Sequence, residues 1–183
     1  LQKVSSLPAA GKISLSGSNE PYNLVFDTTS AGVLVFGPNS IKNNVSKSYT
    51  CAHPYCKIIR EDPDYIRDHY SHHGSCPDDK VDINGSIAIT GMWLEHIEIK
   101  NCEIFVVSSI QEARIKLLAD GNIGLQPISG PIENNFLKIL KKNNFIQRQV
   151  FSFYFDKKGR QSFIIIGEEQ HYFSQEDSTT YQR

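Results

Sequence analysis

The stretch Leu24-Val25-Phe26-Asp27-Thr28-Thr29-Ser30-Ala31-Gly32-Val33-Leu34-Val35 most constrains what this chain can fold into. An apolar run enters a short polar turn that carries one acid, and a second apolar run leaves it. That pattern predicts two buried strands with the turn held inside the protein. An ionised carboxylate there is costly unless it is hydrogen-bonded. Asp27, ringed by the hydroxyls of Thr28, Thr29 and Ser30, is therefore a candidate catalytic group. The plainer reading has Asp27 tie the turn to its own backbone, as Asp often does.

The chain has 183 residues, enough for one well-buried domain. With 19 Lys+Arg against 20 Asp+Glu it offers no basic field for nucleic acid. No apolar run approaches the roughly 20 residues of a membrane span. The sequence opens on Leu1 rather than Met, as expected of a processed or trimmed chain. Four cysteines, Cys51, Cys56, Cys76 and Cys102, allow three disulfide pairings in an oxidising compartment. Two Asn-x-Ser triplets, at Asn44 and Asn84, are candidate glycosylation sites. Together these features predict a secreted or lysosomal/vacuolar location.

Along the chain, short strands and turns dominate. Gly11 to Leu15 and Tyr22 to Phe26 read as a hairpin across Gly17-Ser18-Asn19-Glu20-Pro21. Val33 to Phe36 follows the acid. Ser40 to Lys80 is polar and poorly periodic, and reads mostly as loops. Val81 to Ile89 alternates around Asn84-Gly85-Ser86, which predicts a hairpin with a glycine-containing tip. Trp93 to Ile99 alternates again, and Cys102 to Ser108 is an apolar strand. Pro131 to Phe145 is the predicted helix, with Pro131 first and Ile132, Phe136, Ile139 and Leu140 on one face. Val150 to Phe155 and Ser162 to Ile166 form a last hairpin. The result is one mainly β domain without repeats or linkers.

Between Cys51 and Cys76 lie His53, His69, His72 and His73. Cys51, His53, Cys56 and either His72 or Cys76 could supply tetrahedral zinc ligands. The competing reading pairs the cysteines as disulfides and leaves the histidines in a solvated loop with Glu61, Asp62, Asp64 and Asp68.

The order of these motifs resembles the N-terminal lobe of a pepsin-like aspartic protease, from about Gly11 to Tyr172. The matching series is the Phe26-Asp27-Thr28-Thr29-Ser30 turn, Cys51-x4-Cys56, the hairpin at Asn84-Gly85-Ser86 and Ala119-Asp120-Gly121-Asn122-Ile123-Gly124-Leu125. The predicted helix and the last hairpin follow in the same order. The resemblance implies a mainly β, pepsin-like acid protease fold, a single N-terminal lobe with a ψ-loop and one to two short helices. It spans 1–183, with a flap hairpin at about 80–91 and a polar insertion at about 57–79. It further implies disulfides Cys51–Cys56 and Cys76–Cys102, with no metal and no cofactor.

By the same resemblance, Asp27 is one acid of a water-activating dyad, and each lobe of the family contributes one. Thr28 would steady the loop against its partner, and Ser30 would donate to the outer oxygen of Asp27. Asn84, Gly85 and Ser86 would sit in the flap and contact substrate. The implied partners are a second pepsin-like lobe, as a separate heavy chain or a homodimer mate, and a peptide or protein substrate, with neither nucleic acid nor membrane. The implied activity is aspartic endopeptidase; the alternative is an inactive pepsin-fold protein that binds peptides or proteins. Four positions differ from the family pattern: Thr29 replaces a Gly, Asn84 (or Ile83, if the tip differs by one residue in length) a Tyr, Leu34 a Trp and Asn122 an aliphatic residue. No second Asp-Thr/Ser-Gly stretch occurs, and Asp120, Asp156 and Asp177 lack the flanking strands.

Overall fold

Strand β1 (Ala10–Leu15) runs antiparallel to β2 (Tyr22–Asp27), with Ala10 opposite Val25 and Ile13 opposite Tyr22. The computed structural model describes residues 10–28, 30–40, 47–61, 83–110, 119–126, 135–155 and 162–168. The further elements are β3 (Ala31–Phe36), β4 (Cys56–Glu61), β5 (Ile83–Leu94), β6 (Ile97–Ile110) and β7 (Gly121–Leu125). Helix α1 (Phe136–Lys142) and the strands β8 (Phe151–Phe155) and β9 (Ser162–Ile166) complete the described chain. None of its described helices is long and apolar enough to cross a membrane.

Seven strands form one sheet in the order β1-β2-β7-β3-β6-β5-β4. A further pairing of β1 with β5, Ile13 opposite Leu94, joins the first strand to the sixth and closes a barrel. Strand β4 stays outside the ring, paired only with β5 among the described strands. Closure leaves fewer exposed strand edges and encloses one apolar interior. That interior holds Ile13, Leu15, Leu24, Val35, Met92, Ile99, Ile104 and Ile123, each at most 1% exposed.

Strand β2 alternates as a half-buried strand should, with Tyr22, Leu24 and Phe26 buried. Strand β3 is buried at every residue. Its flanks pair with β6 and β7, and α1 packs against β3 and β7. The buried side of α1 is Phe136, Leu137, Ile139 and Leu140. Each such side chain contributes about 1.5–3 kcal/mol by leaving water.

The helix is shorter than its periodicity suggests. Asn135 is extended (φ −67°, ψ 120°), and its side chain accepts a hydrogen bond from the Lys138 N–H at 3.1 Å. This satisfies a free amide at the helix start, so Asn135 caps the helix and the expected start at Pro131 is corrected. The Asn135 amide also donates to the Gln126 carbonyl at 2.7 Å, fixing the helix to the end of β7. At the other end Asn144 turns left-handed (φ 60°), which leaves Phe145 outside the helix and 42% exposed.

Two expectations for the middle of the chain are also corrected. Ile83 to Leu94 is one continuous strand rather than a hairpin tipped at Asn84-Gly85-Ser86. The turn falls instead at Glu95-His96, between β5 and β6, where Glu95 adopts φ 52°. Lys57 to Glu61, expected within the polar insertion, extend β4 and pair with Ser86 to Ile89. The remainder of that insertion, including His69, His72, His73 and Cys76, lies outside the described residues.

Candidate active site

The turn after β2 is built around β7. Strand β7 lies between β2 and β3, parallel to the first and antiparallel to the second. Gly124 is opposite Asp27 on one side and Gly32 on the other. The chain leaves β2 at Asp27, turns and returns as β3, so the acid sits where three strand ends converge. A Cβ on Gly124 would collide with the Ser30 carbonyl oxygen and come within 2.5 Å of the Ala31 Cα. Only glycine lets the turn lie this close to β7.

Asp27 is half-buried, Thr28 is exposed and Ser30 is fully buried. Thr29 lies outside the described residues. The left-handed residue that follows the turn is Gly32, the second residue of β3 (φ 78°). Ser30 is held by two bonds from the β7 side. Its carbonyl accepts from the Gln126 N–H at 3.0 Å, and its hydroxyl accepts from the Asn122 side-chain amide at 2.8 Å. A hydroxyl that has accepted one bond keeps its own proton to donate.

Asp120, at the entry to β7, has a different task. It is 1% exposed, and its carboxylate accepts from the Asn23 N–H at 2.8 Å. Its own N–H donates to the Asn23 carbonyl at 2.9 Å, and its carbonyl accepts from the Phe36 N–H at 3.4 Å. Asp120 thus pins the start of β7 to both β2 and β3, a structural use of a buried acid. It lies beside Asn23, toward the opposite end of β2 from Asp27.

Asn84, Gly85 and Ser86 do not join Asp27 as expected. They belong to the interior of β5, with Asn84 opposite Ser109, Gly85 opposite Val107 and a register shift between the two pairs. A Cβ on Gly85 would strike the Val106 carbonyl oxygen and lie 2.6 Å from the Phe105 ring. The glycine serves close packing across the sheet, and its sequence signal mimics that of a turn. The Asn84 amide nitrogen, the atom that would carry a glycan, donates to the Ser109 hydroxyl at 3.4 Å, and the residue is half-buried. Asn44 lies outside the described residues.

Cys51 and Cys56 are disulfide-bonded, with Cα atoms 5.0 Å apart. The bridge leaves neither sulfur as a thiolate, so the Cys51–Cys56 zinc reading is corrected. The expected Cys76–Cys102 bridge is corrected as well, because Cys102 is a free thiol. It lies opposite Thr90 between β6 and β5 and is fully buried. Burial, with a smaller contribution from the Glu103 carboxylate, pushes its thiol up to about 12.

Sequence reasoning noticed Asn122 as a departure from the family pattern but did not find its bond to Ser30. The available signal was a lone amide side chain in the otherwise small and apolar strand Gly121-Asn122-Ile123-Gly124-Leu125. Leu34 is buried at 5% exposure, opposite Asn122 on one side and Phe105 on the other.

No curated protein matches the chain significantly. The family model described as eukaryotic aspartyl protease matches residues 9–182. Its match spans both the Asp27 turn and the β7 arm that crosses it, in a mainly β barrel with one described helix. On that match over nearly its whole length, the chain belongs to the eukaryotic aspartyl protease family, as a single pepsin-like lobe.

Proposed function

We propose that this lobe supplies one aspartate of a proton-sharing pair for peptide-bond hydrolysis, completed by a second lobe or chain. The observation that carries the reading is Asp27, half-exposed at the crossing of β2, β3 and β7, three residues before a fully buried Ser30 hydroxyl. Two carboxylates about 3 Å apart cannot both ionise easily, so one stays protonated. The ionised one takes a proton from a water lying between them, and the water oxygen attacks the peptide carbonyl carbon. The protonated one gives its proton to the carbonyl oxygen. Collapse of the tetrahedral diol then breaks the C–N bond as the amine nitrogen takes the proton held by the first carboxyl. The second carboxylate takes one from a diol hydroxyl, which leaves a carboxylic acid, an amine and one proton on the pair. Thr28 is exposed on the turn, and in this reading it would meet the partner's loop. The partner is a separate heavy chain or a second copy of this chain.

A second reading is a pepsin-fold protein that binds peptides or proteins without cleaving them. One observation favours it: Asn84-Gly85-Ser86, expected to close over substrate, lies within the β5–β6 pairing. The two readings part on incubation of the protein, together with its second lobe, with a peptide mixture at acid pH, followed by mass spectrometry. Catalysis predicts new peptide termini that vanish with pepstatin. Peptides recovered bound but intact would support the binding reading and contradict the first.

A further inference from the structure

Strand β4 alone in the large sheet has a neighbour on only one side among the described strands, so among them its outer edge is open. An open edge presents a row of backbone donors and acceptors and is a ready template for another strand. Five large apolar side chains are exposed among the described residues, and three of them fall within Tyr55 to Ile59. Tyr55, Ile58 and Ile59 are 61%, 53% and 47% exposed. Scattered apolar residues on a surface need no explanation, but a cluster along an open edge marks an interaction surface. The start of this edge is held in place. The Cys51–Cys56 disulfide closes the preceding loop, and the Tyr55 carbonyl accepts from the Thr90 hydroxyl of β5 at 3.2 Å. A strand fixed in advance loses little freedom on pairing.

We propose that β4 pairs antiparallel with β4 of a second copy of this chain, about a two-fold axis at Ile59. A two-fold contact is self-complementary, so residue i meets j and j meets i. The axis falls on a residue, because paired side chains share one face and faces alternate along a strand. With the axis at Ile59, Ile59 meets its own copy, Ile58 meets Arg60, and Lys57 meets Glu61. Opposite charges then face each other twice across the contact. An axis at Ile58 instead sets Lys57 against Ile59 and Glu61 against Tyr55, and one at Arg60 sets Glu61 against Ile59. Charge meets an apolar residue in both.

The irregularity of β4 suits the same axis. Between Ile58 and Arg60 the strand carries one more residue than β5 opposite it, which breaks the register there. An axis at Ile59 places the irregular point of one copy against that of the other, so the two strands bend alike. The pairing joins two seven-stranded sheets edge to edge. Strand β2, which carries Asp27, pairs with β1 and β7 and takes no part in it, so this contact is independent of the acid-pair reading.

The test is sedimentation of the full chain over a concentration series, for wild type, Ile59→Lys, Lys57→Glu and Glu61→Lys, with folding checked by circular dichroism. A single strand pair lies at the small end of specific interfaces, so half association is expected between about 10 μM and 1 mM. Ile59→Lys sets two cations face to face on the axis and should raise the dissociation constant at least about tenfold. Lys57→Glu and Glu61→Lys should each do the same alone, since each sets like charges opposite one another twice. Mixed in equal amounts, the two charge variants should associate with each other within about threefold of wild type, because every Glu then meets a Lys. That recovery requires a second copy in this register. A wild-type chain that stays monomeric up to about 1 mM overturns the proposal, and so does a dimer that Ile59→Lys leaves unchanged. Failure of the mixed charge variants to associate also overturns it. A monomeric chain that co-sediments with phosphatidylserine vesicles would assign the edge to a membrane and contradict the proposal.

Discussion

A buried hydroxyl is tolerated only when its oxygen is hydrogen-bonded, and Ser30 meets this condition through Asn122. Ser30→Ala removes the acceptor of this Asn122 bond, so it should cost about 0.5–1.5 kcal/mol in urea unfolding. A loss below about 0.5 kcal/mol would show that the bond contributes nothing net. Cys102 offers a separate check. Its thiol is held neutral by burial, raised from 9.0 to about 12, so the folded state gains stability below pH 9. The unfolded thiol ionises first as pH rises, and that stability is lost between pH 9 and about 12. In this window wild type should lose about 1.4 kcal/mol more per pH unit than Cys102→Ala, measured by denaturant unfolding. Equal slopes would place Cys102 in solvent. Alkylation after unfolding without reductant should label the Cys102 peptide, while a Cys76–Cys102 cross-linked peptide would contradict the free thiol. At this scale Asp27 and Ser30 were legible, because an acid and hydroxyls between two apolar runs have few uses. The Asn122 bond was not, since it joins positions separated by 92 in the sequence.

Strand β7 is the element on which the site depends. It threads between β2 and β3, and Gly124 permits the turn to close over it. Gly124→Ala forces a methyl group into the backbone of Ser30 and Ala31, neither of which can move as a flexible side chain could. The expected loss is about 2–3 kcal/mol in unfolding free energy, with the Asp27 turn displaced. Stability within about 0.5 kcal/mol of wild type would mean that the crossing is looser than described. Most strands were readable from alternation and turn residues, including β1–β2 and β8–β9. The errors share a physical cause. Gly85 is a packing glycine beneath Phe105, and local sequence cannot separate that from a turn glycine. The helix start failed similarly, because Pro131 fits a first helical position while Asn135 makes the capping bond. Strand β4 was missed because Ile58 and Ile59 are both exposed, so no alternation marks it.

At the scale of the molecule, a closed barrel holds one candidate acid at the convergence of three strands, and the proposed chemistry needs two. The fold class was legible because the order of motifs survives even where single positions differ from the family pattern. Barrel closure was not, since β1 meets β5 through residues far apart in sequence. The central claim is that Asp27 reacts. Its most direct measurement is kcat/KM for peptide cleavage at acid pH by the protein with its second lobe, compared with the Asp27→Asn variant. Asn keeps the size of the side chain and can neither take up the water proton nor give one, so the account predicts a loss of at least about a thousandfold. Equal kcat/KM for the two proteins would contradict it.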